Sequence, residues 1–250
     1  VQHPFYVSTL LYFFCSYGRF SMKALVLSSG GVDSTTCLAM AIDALGADNV
    51  SALSIWYGQK HKKELDSAKA IAHYYGVPHY ELDVAQVMSY SNSSLLSSSS
   101  ESIDHRTYGE QIADTGSVST YVPFRNGLIL SMAASLALSL YPDEEVTIYI
   151  GAHADDAAGN AYPDCRPDFN HHMNEAIYIG SYHKVRLYAP LNDVNKSQVV
   201  QEGLRLQVPY HLTWSCYEGG DTPCHTCGTC RDREQAFIDN GILDPLLSSK

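Results

Sequence analysis

The chain has 250 residues, 45% hydrophobic and 17% charged, enough to bury one sizeable core. Its formal net charge of -11 disfavours sequence-independent binding to nucleic acid, which rests on Lys and Arg neutralising phosphates, so the expected partners are small molecules. Seven cysteines, four of them close to the C-terminus, read as metal binding in a reducing cytosol rather than as a disulfide framework.

Residues 1–21 stand apart. Phe5 to Cys15 is apolar and aromatic, but no Lys or Arg precedes it and the run is too short to span a bilayer. No membrane contact is expected, and 1–21 reads as an extension that is disordered or not native. Met22-Lys23 opens the first strand, whose apolar centre is Ala24-Leu25-Val26-Leu27. Thr35–Leu45 then reads as a helix, with Cys37, Leu38, Ala41, Ile42 and Leu45 on one face and Gly46 as its stop. Val50–Trp56 is a second buried strand, Lys62–Tyr75 a helix, and His79–Val84 a third strand. The serine-rich stretch Ser89–Ser102 has little to bury and reads as a mobile loop. Asn126–Leu140 is a strongly apolar helix and Val146–Ile150 a fourth strand. A loop over 151–168 leads to a helix near Phe169–Ile179, a fifth strand or extended segment over Val185–Leu191, and a helix over Asn195–Leu206. The alternation gives βαβ units, hence an α/β fold with a doubly wound parallel sheet covered on both faces. Residues 22–210 form that domain, and 211–250 a cysteine-rich segment with a C-terminal helix.

Ser29-Gly30-Gly31-Val32-Asp33-Ser34 follows the first strand and opens a helix. Glycines let the backbone turn sharply and approach a ligand, and a helix start turns free N–H groups toward anions. Ser29 and Ser34 add hydroxyl donors, and Asp33 either caps the helix or helps hold magnesium. The string is neither a Walker-type loop nor a dinucleotide fingerprint, since G-x-x-x-x-G-K-[ST] and G-x-G-x-x-G are both absent. S-G-G-x-D-S after an N-terminal strand resembles the pyrophosphate loop of ATP pyrophosphatases, which activate an oxygen by attaching AMP. A glycine turn with an aspartate cap is the plainer alternative. Ligands on such sheets bind beyond the carboxyl ends of the strands, so the glycine pair and the loop after the fourth strand are expected to face one pocket.

Three further strings carry chemistry. Cys216, Cys224, Cys227 and Cys230 form C-x7-C-x2-C-x2-C, a set that suits a closed, structural tetrahedral zinc; an iron–sulfur cluster uses the same ligands, and His225 is a less convenient substitute for one of them. Tyr162-Pro163-Asp164-Cys165-Arg166 offers an aromatic face and a carboxylate for a purine-like base, and a guanidinium for a carboxylate or phosphate. A proline-stiffened loop with an internal Asp–Arg pair has the same composition. Arg125 before the apolar helix, and Lys196 after Asn195, each fit a phosphate contact or an ordinary solvated position. Tyr57-Gly58-Gln59-Lys60-His61 sits where a ribose or adenine contact would come, although His61 alone also suits the surface.

With these strings in hand, the chain resembles the 7-cyano-7-deazaguanine synthase family (QueC), of the pathway to queuosine. The matching pieces are LSSGGVDSTTCL, YGQKH, VPFRN, GAHADDAAGNAYPDCRPDF, APLNDVNKSQ and TWSCYEGGDTPCHTCGTCRDREQAF, running from Met22 to Phe237. The resemblance implies a cytoplasmic enzyme with an adenine nucleotide alpha hydrolase-like, Rossmann-like fold and a zinc-binding C-terminal segment. It implies conversion of 7-carboxy-7-deazaguanine and ammonia to the nitrile with ATP and magnesium, and a homodimer. Carried onto this sequence, it implies that ATP is held by Ser28, Ser29, Gly30, Gly31, Val32, Asp33, Ser34, Thr35, Thr36, Cys37 and Leu38. Asp33, Ser34, Arg125 and Lys196 would be catalytic. Tyr162, Asp164 and Arg166 would bind the deazapurine, and the four cysteines would bind zinc. Two departures stand out: the family usually has Gly where Phe124 stands, and an aromatic is common where Ser28 stands. Rival readings are a tRNA-thiolating enzyme with the same ATP loop, with Cys165 as its thiol, and a non-catalytic nucleotide- and zinc-binding module.

Overall fold

The computed structural model describes residues 22–157 and 160–248, so the extension expected over 1–21 lies outside the described residues. Five parallel strands form one sheet of order β3-β2-β1-β4-β5. β1 (Met22–Leu27) is central, between β2 (Val50–Trp56) and β4 (Glu145–Tyr149), and β3 (His79–Asp83) and β5 (Val185–Tyr188) form the edges. The burial follows the sequence. Ala24, Leu25 and Val26 are fully buried and β2 is buried over all but its last residue, whereas the edge strand HYELD is largely half-exposed or exposed.

Helices cover both faces. α1 (Val32–Leu45), α2 (Lys63–Tyr75) and α6 (Lys196–Arg205) share one core with Phe237 of α7 (Gly228–Asp239). α3 (Tyr108–Thr115), α4 (Arg125–Leu140) and α5 (Pro167–Gly180) share the other, which also takes in Trp214 and three of the C-terminal cysteines. Strand order reverses at β1, between its neighbours β2 and β4, and this switch point opens a crevice beyond the strands' carboxyl ends.

Several boundaries move, each for a physical reason. The first helix begins at Val32 rather than Thr35, because Gly31 closes its first turn by accepting from the Thr35 N–H at 3.1 Å. The fifth strand stops at Tyr188, two residues before Pro190, which has no N–H for a ladder. Thr107 and Glu110 form a capping box that starts α3, a helix that hydrophobic periodicity does not announce. The largest correction concerns Ser89–Ser102. It is not a loose loop: Ser93, Ser94, Leu95 and Leu96 are buried, Ser94 N–H donates to Ser119 O, and Ser97 N–H donates to Gly58 O. Two leucines anchor the stretch, and backbone and hydroxyl bonds tie it to Gly58 and Ser119.

Arg233 of α7 and Asp244 form an ion pair only 3% and 5% exposed, with Nε–Oδ2 at 2.6 Å and Nη2–Oδ1 at 2.8 Å. Arg233 also donates to Thr213 Oγ1 at 2.8 Å and to Tyr210 O at 3.2 Å, so one guanidinium staples α7 to the chain ahead of the cysteines. Removing one partner strands a buried charge. Asp244→Ala is expected to lower the unfolding free energy by about 3–5 kcal/mol, measured by urea denaturation.

Candidate active site

The glycine loop is shaped by contacts that leave its helix end open. Ser29 Oγ lies 3.0 Å from Ser34 Oγ, and Gly31 N–H donates to Ser29 Oγ. Gly31 stands at the N-cap of α1 and offers no side-chain cap to the helix N–H groups, so they remain available to an anion. Gly30 has φ +82°, and a Cβ there would stand 2.2 Å from the Glu64 carbonyl oxygen. Gly151, beyond β4, is also tightly placed: its added Cβ would stand 3.0 Å from the Asp33 carbonyl carbon. The glycine loop and the fourth-strand loop therefore meet, as expected of the switch point.

They border a cavity of about 510 Å³. Of the ATP-loop residues, Ser28, Ser29, Gly31, Asp33 and Ser34 line it. Val32, Thr35, Thr36, Cys37 and Leu38 do not: their side chains are buried on the core faces of α1, and Thr36 Oγ1 is bonded to Tyr210 Oη at 2.7 Å. Gly30 serves the loop through its backbone, its oxygen accepting from Trp214 N–H at 2.9 Å.

Asp33 is the electrostatic centre. Lys196 Nζ donates to its Oδ2 at 2.6 Å, and His153 Nε2 lies 3.6 Å from its Oδ1. Burial pushes the Asp33 carboxyl up, but Lys196 and His153 outweigh it and hold it below the usual carboxylate range. Asp33 Oδ1 is nevertheless buried without a hydrogen-bond partner. Asp156 Oδ2 lies 3.5 Å from His153 Nε2, and burial raises its carboxyl. A partnerless buried carboxylate oxygen with a second carboxylate close by suits a hard divalent cation. His153 and Asp156 were not singled out in the sequence; their signal is the string GAHADD directly after β4.

Arg125, the first residue of α4, forms the opposite wall. Its guanidinium lies 5.2 Å from the Tyr57 ring centroid, and Nη1 donates to Tyr57 Oη at 3.3 Å. The residue ahead of it, Phe124, has φ +53°, the left-handed conformation in which glycine costs least, so the departure from the family's glycine falls where a side chain is strained. Tyr108 and Tyr217 line the same side, and Glu64 enters from α2.

The Tyr162–Arg166 loop is arranged differently from its expected base-reading role. Asp164 is buried, and its Oδ2 accepts from Asn126 N–H at 2.9 Å while Asn126 Nδ2 donates to Asp164 O at 3.0 Å. The carboxylate is thus committed to the start of α4. Arg166 points to solvent and pairs with Asp168 through two bonds of 2.9 and 3.0 Å. Tyr162 is buried behind Tyr108, its hydroxyl 2.6 Å from Thr120 Oγ1. None of the three lines the cavity. The Asp–Arg pair that is present joins Arg166 to Asp168, two residues further along the same proline-containing stretch. Cys165 does reach the cavity, but burial pushes its thiol well up, which disfavours the thiolate a thiolating enzyme needs.

The cysteine segment forms the remaining wall through Trp214, Ser215, Tyr217 and Asp232. The Sγ atoms of Cys216, Cys224, Cys227 and Cys230 lie within 4.8 Å of one another, and Cys224 and Cys230 are 3.9 Å apart. Metal–sulfur bonds near 2.3 Å in a tetrahedron place sulfurs about 3.8 Å apart, so the four thiols fit one ion. Among the described residues, no helix is long and apolar enough to cross a membrane.

Asp164 braces Arg125 through Asn126, so Asp164→Ala is expected to cost about 1–2 kcal/mol, like other lost helix caps, and to leave the start of α4 less protected. Hydrogen exchange at Asn126 checks this; unchanged protection there would contradict the bracing role.

The chain matches the family described as queuosine biosynthesis protein QueC over residues 23–241. A relative from Archaeoglobus fulgidus, named 7-cyano-7-deazaguanine synthase, is 40% identical over 230 residues, covering 92% of this chain and 91% of its own. Relatives of the same name from Oceanobacillus iheyensis and Alteromonas mediterranea are 38% and 40% identical, each over 90% of this chain and 97% and 98% of their own. An open glycine loop at the switch point, the charged groups that face it and matches of this extent agree with one another: the chain belongs to the QueC family of queuosine biosynthesis proteins.

Proposed function

We propose that this chain is an ATP-dependent carbon–nitrogen ligase that converts 7-carboxy-7-deazaguanine and ammonia to 7-cyano-7-deazaguanine. The observation that carries the reading is the uncapped start of α1, with Asp33 and Lys196 paired beside it and Arg125 on the opposite wall of one cavity. A carboxylate is a poor electrophile and oxide a poor leaving group, so each oxygen has to be converted before it can depart. In the first activation the substrate carboxylate attacks the ATP α-phosphorus, and pyrophosphate leaves. Ammonia then forms the C–N bond, and AMP departs with the first oxygen. The amide oxygen attacks a second ATP in the same way, and loss of that AMP with two N–H protons leaves the nitrile.

The protein's part is positioning and charge neutralisation. The loop N–H groups and the Ser29 and Ser34 hydroxyls hold phosphate oxygens. Lys196, kept beside the loop by Asp33, neutralises charge that develops there. Arg125, braced by the Asp164 loop and resting on Tyr57, orients the carboxylate. The deazapurine ring lies along the tyrosines of the Arg125 wall. Asp33 and Asp156 would hold the magnesium that accompanies ATP, and that ion would draw charge from the leaving pyrophosphate. The four thiolates would hold zinc as a closed structural site, with no position left for substrate.

Pyrophosphate release that requires the deazaguanine acid, with AMP as the nucleotide product, tests the reading. ADP, or turnover that ignores the acid, would contradict it. Lys196→Met is expected to slow acid-dependent pyrophosphate release on the order of a hundredfold while leaving the circular dichroism spectrum unchanged. Purified protein is expected to hold about one zinc per chain, and chelation to lower its melting temperature as well as its activity, because metal binding and folding of the segment are linked. Iron with a visible charge-transfer band would overturn the zinc assignment.

A further inference from the structure

Beside the main cavity, and sharing Tyr57, Gln59, Glu64 and Tyr217 with its lining, is a pocket of about 10 Å³ between the Tyr57–His61 loop, α2 and the cysteine segment. That space holds about one water-sized molecule. Most polar groups along it are already committed. Gln59 Oε1 accepts from Tyr57 N–H at 2.9 Å, and its Nε2 donates to Ile55 O at 3.2 Å. Lys60 Nζ turns away to Glu101 O at 2.7 Å, and Tyr57 Oη accepts from Arg125. Two acceptors remain. Glu64 lines both the side pocket and the main cavity, and among the described residues no hydrogen bond engages its carboxylate. His61 Nδ1 is buried with no partner, and the ring lies against Gly219, whose added Cβ would stand 2.3 Å from it.

A one-molecule pocket with an unengaged carboxylate that also lines the reaction cavity, and an unclaimed imidazole nitrogen, suits a small cation that donates hydrogen bonds. We propose that this pocket binds ammonium and that Glu64 takes its proton, releasing ammonia toward the activated acid. The proposal rests on the function given above and deepens it by assigning the nitrogen donor a site. Burial independently raises the Glu64 carboxyl to about 7, against the opposing pull of Arg125, so it can accept and return a proton near neutrality.

The step balances. Ammonium gives one proton to the Glu64 carboxylate and becomes ammonia. The nitrogen lone pair forms the C–N bond to the acyl carbon, the bond from that carbon to the AMP oxygen breaks, and the departing AMP phosphate takes the second proton from nitrogen. Glu64 returns its proton to solvent before the next cycle.

The test uses the whole chain and separates activation from nitrogen transfer. In Glu64→Gln, the burst of pyrophosphate formed from ATP and the acid without ammonium is expected to persist, whereas amide formation with ammonium falls on the order of a hundredfold or its KM for ammonium rises more than tenfold. Hydroxylamine is largely uncharged at neutral pH and needs no deprotonation, so hydroxamate formation is expected to survive. Unchanged ammonium kinetics would overturn the proposal, and so would loss of the burst, which would place Glu64 at the acid or ATP. Should Glu64→Gln fail to fold, Glu64→Asp decides: a normal burst with a raised ammonium KM supports the site, and an unchanged KM rejects it. Absence of the burst in the unaltered protein would instead fail the parent reading.

Discussion

The site depends on the close approach of three chain segments at Gly30. A side chain there would collide with the Glu64 carbonyl and with the backbone nitrogen of Ala68, while the Gly30 oxygen is bonded to the Trp214 N–H. One residue without a Cβ therefore lets the end of β1, the start of α2 and the C-terminal segment touch. From that contact follow the open helix start at α1, the entry of Glu64 into the cavity, and the wall made by Trp214, Ser215 and Tyr217. Any larger residue at position 30 pays both the φ +82° penalty and the collision, so the loop has little freedom to vary.

The cysteine segment is consequently a wall of the site. Thr229 Oγ1 donates to Ser215 O at 2.7 Å, and Trp214 Nε1 donates to Cys216 O at 2.9 Å, so the residues that face the cavity are fixed by the same turns that gather the sulfurs. The Arg233–Asp244 pair anchors α7 behind them. A structural metal here would act on catalysis without touching substrate, by holding Trp214 and Tyr217 against the glycine loop.

Much of this was legible in the sequence because it is local. Strand and helix periods gave the alternation that makes a parallel sheet, and S-G-G-V-D-S after a strand marked the open helix start at the switch point. The spacing of Cys216, Cys224, Cys227 and Cys230 announced a shared ion, and the structure brings their sulfurs together. What was not legible is direction. Asp164 and Arg166 have the composition of a ligand-binding loop, but composition does not say that one turns into α4 and the other to solvent. Val32 and Thr35 to Leu38 belong to the loop's sequence pattern, yet helical geometry turns them to the core. Glu64 lies outside the strings read in the sequence, and His153 sits in GAHADD with nothing local to single it out; only the meeting of segments distant in sequence brings His153 to Asp33 and Glu64 into the cavity with Arg125. The serine-rich stretch misled for the opposite reason: its polar composition concealed Leu95 and Leu96, which bury and order it.

In the proposed reaction the glycine loop directs both departing oxygens onto AMP. The most direct measurement supplies the deazaguanine acid with heavy oxygen in its carboxylate and follows the label by mass spectrometry. Both carboxylate oxygens are expected to end in AMP, one in each of the two molecules formed per nitrile, with none in free phosphate. Label in inorganic phosphate alongside ADP, or in neither nucleotide nor phosphate, would contradict it.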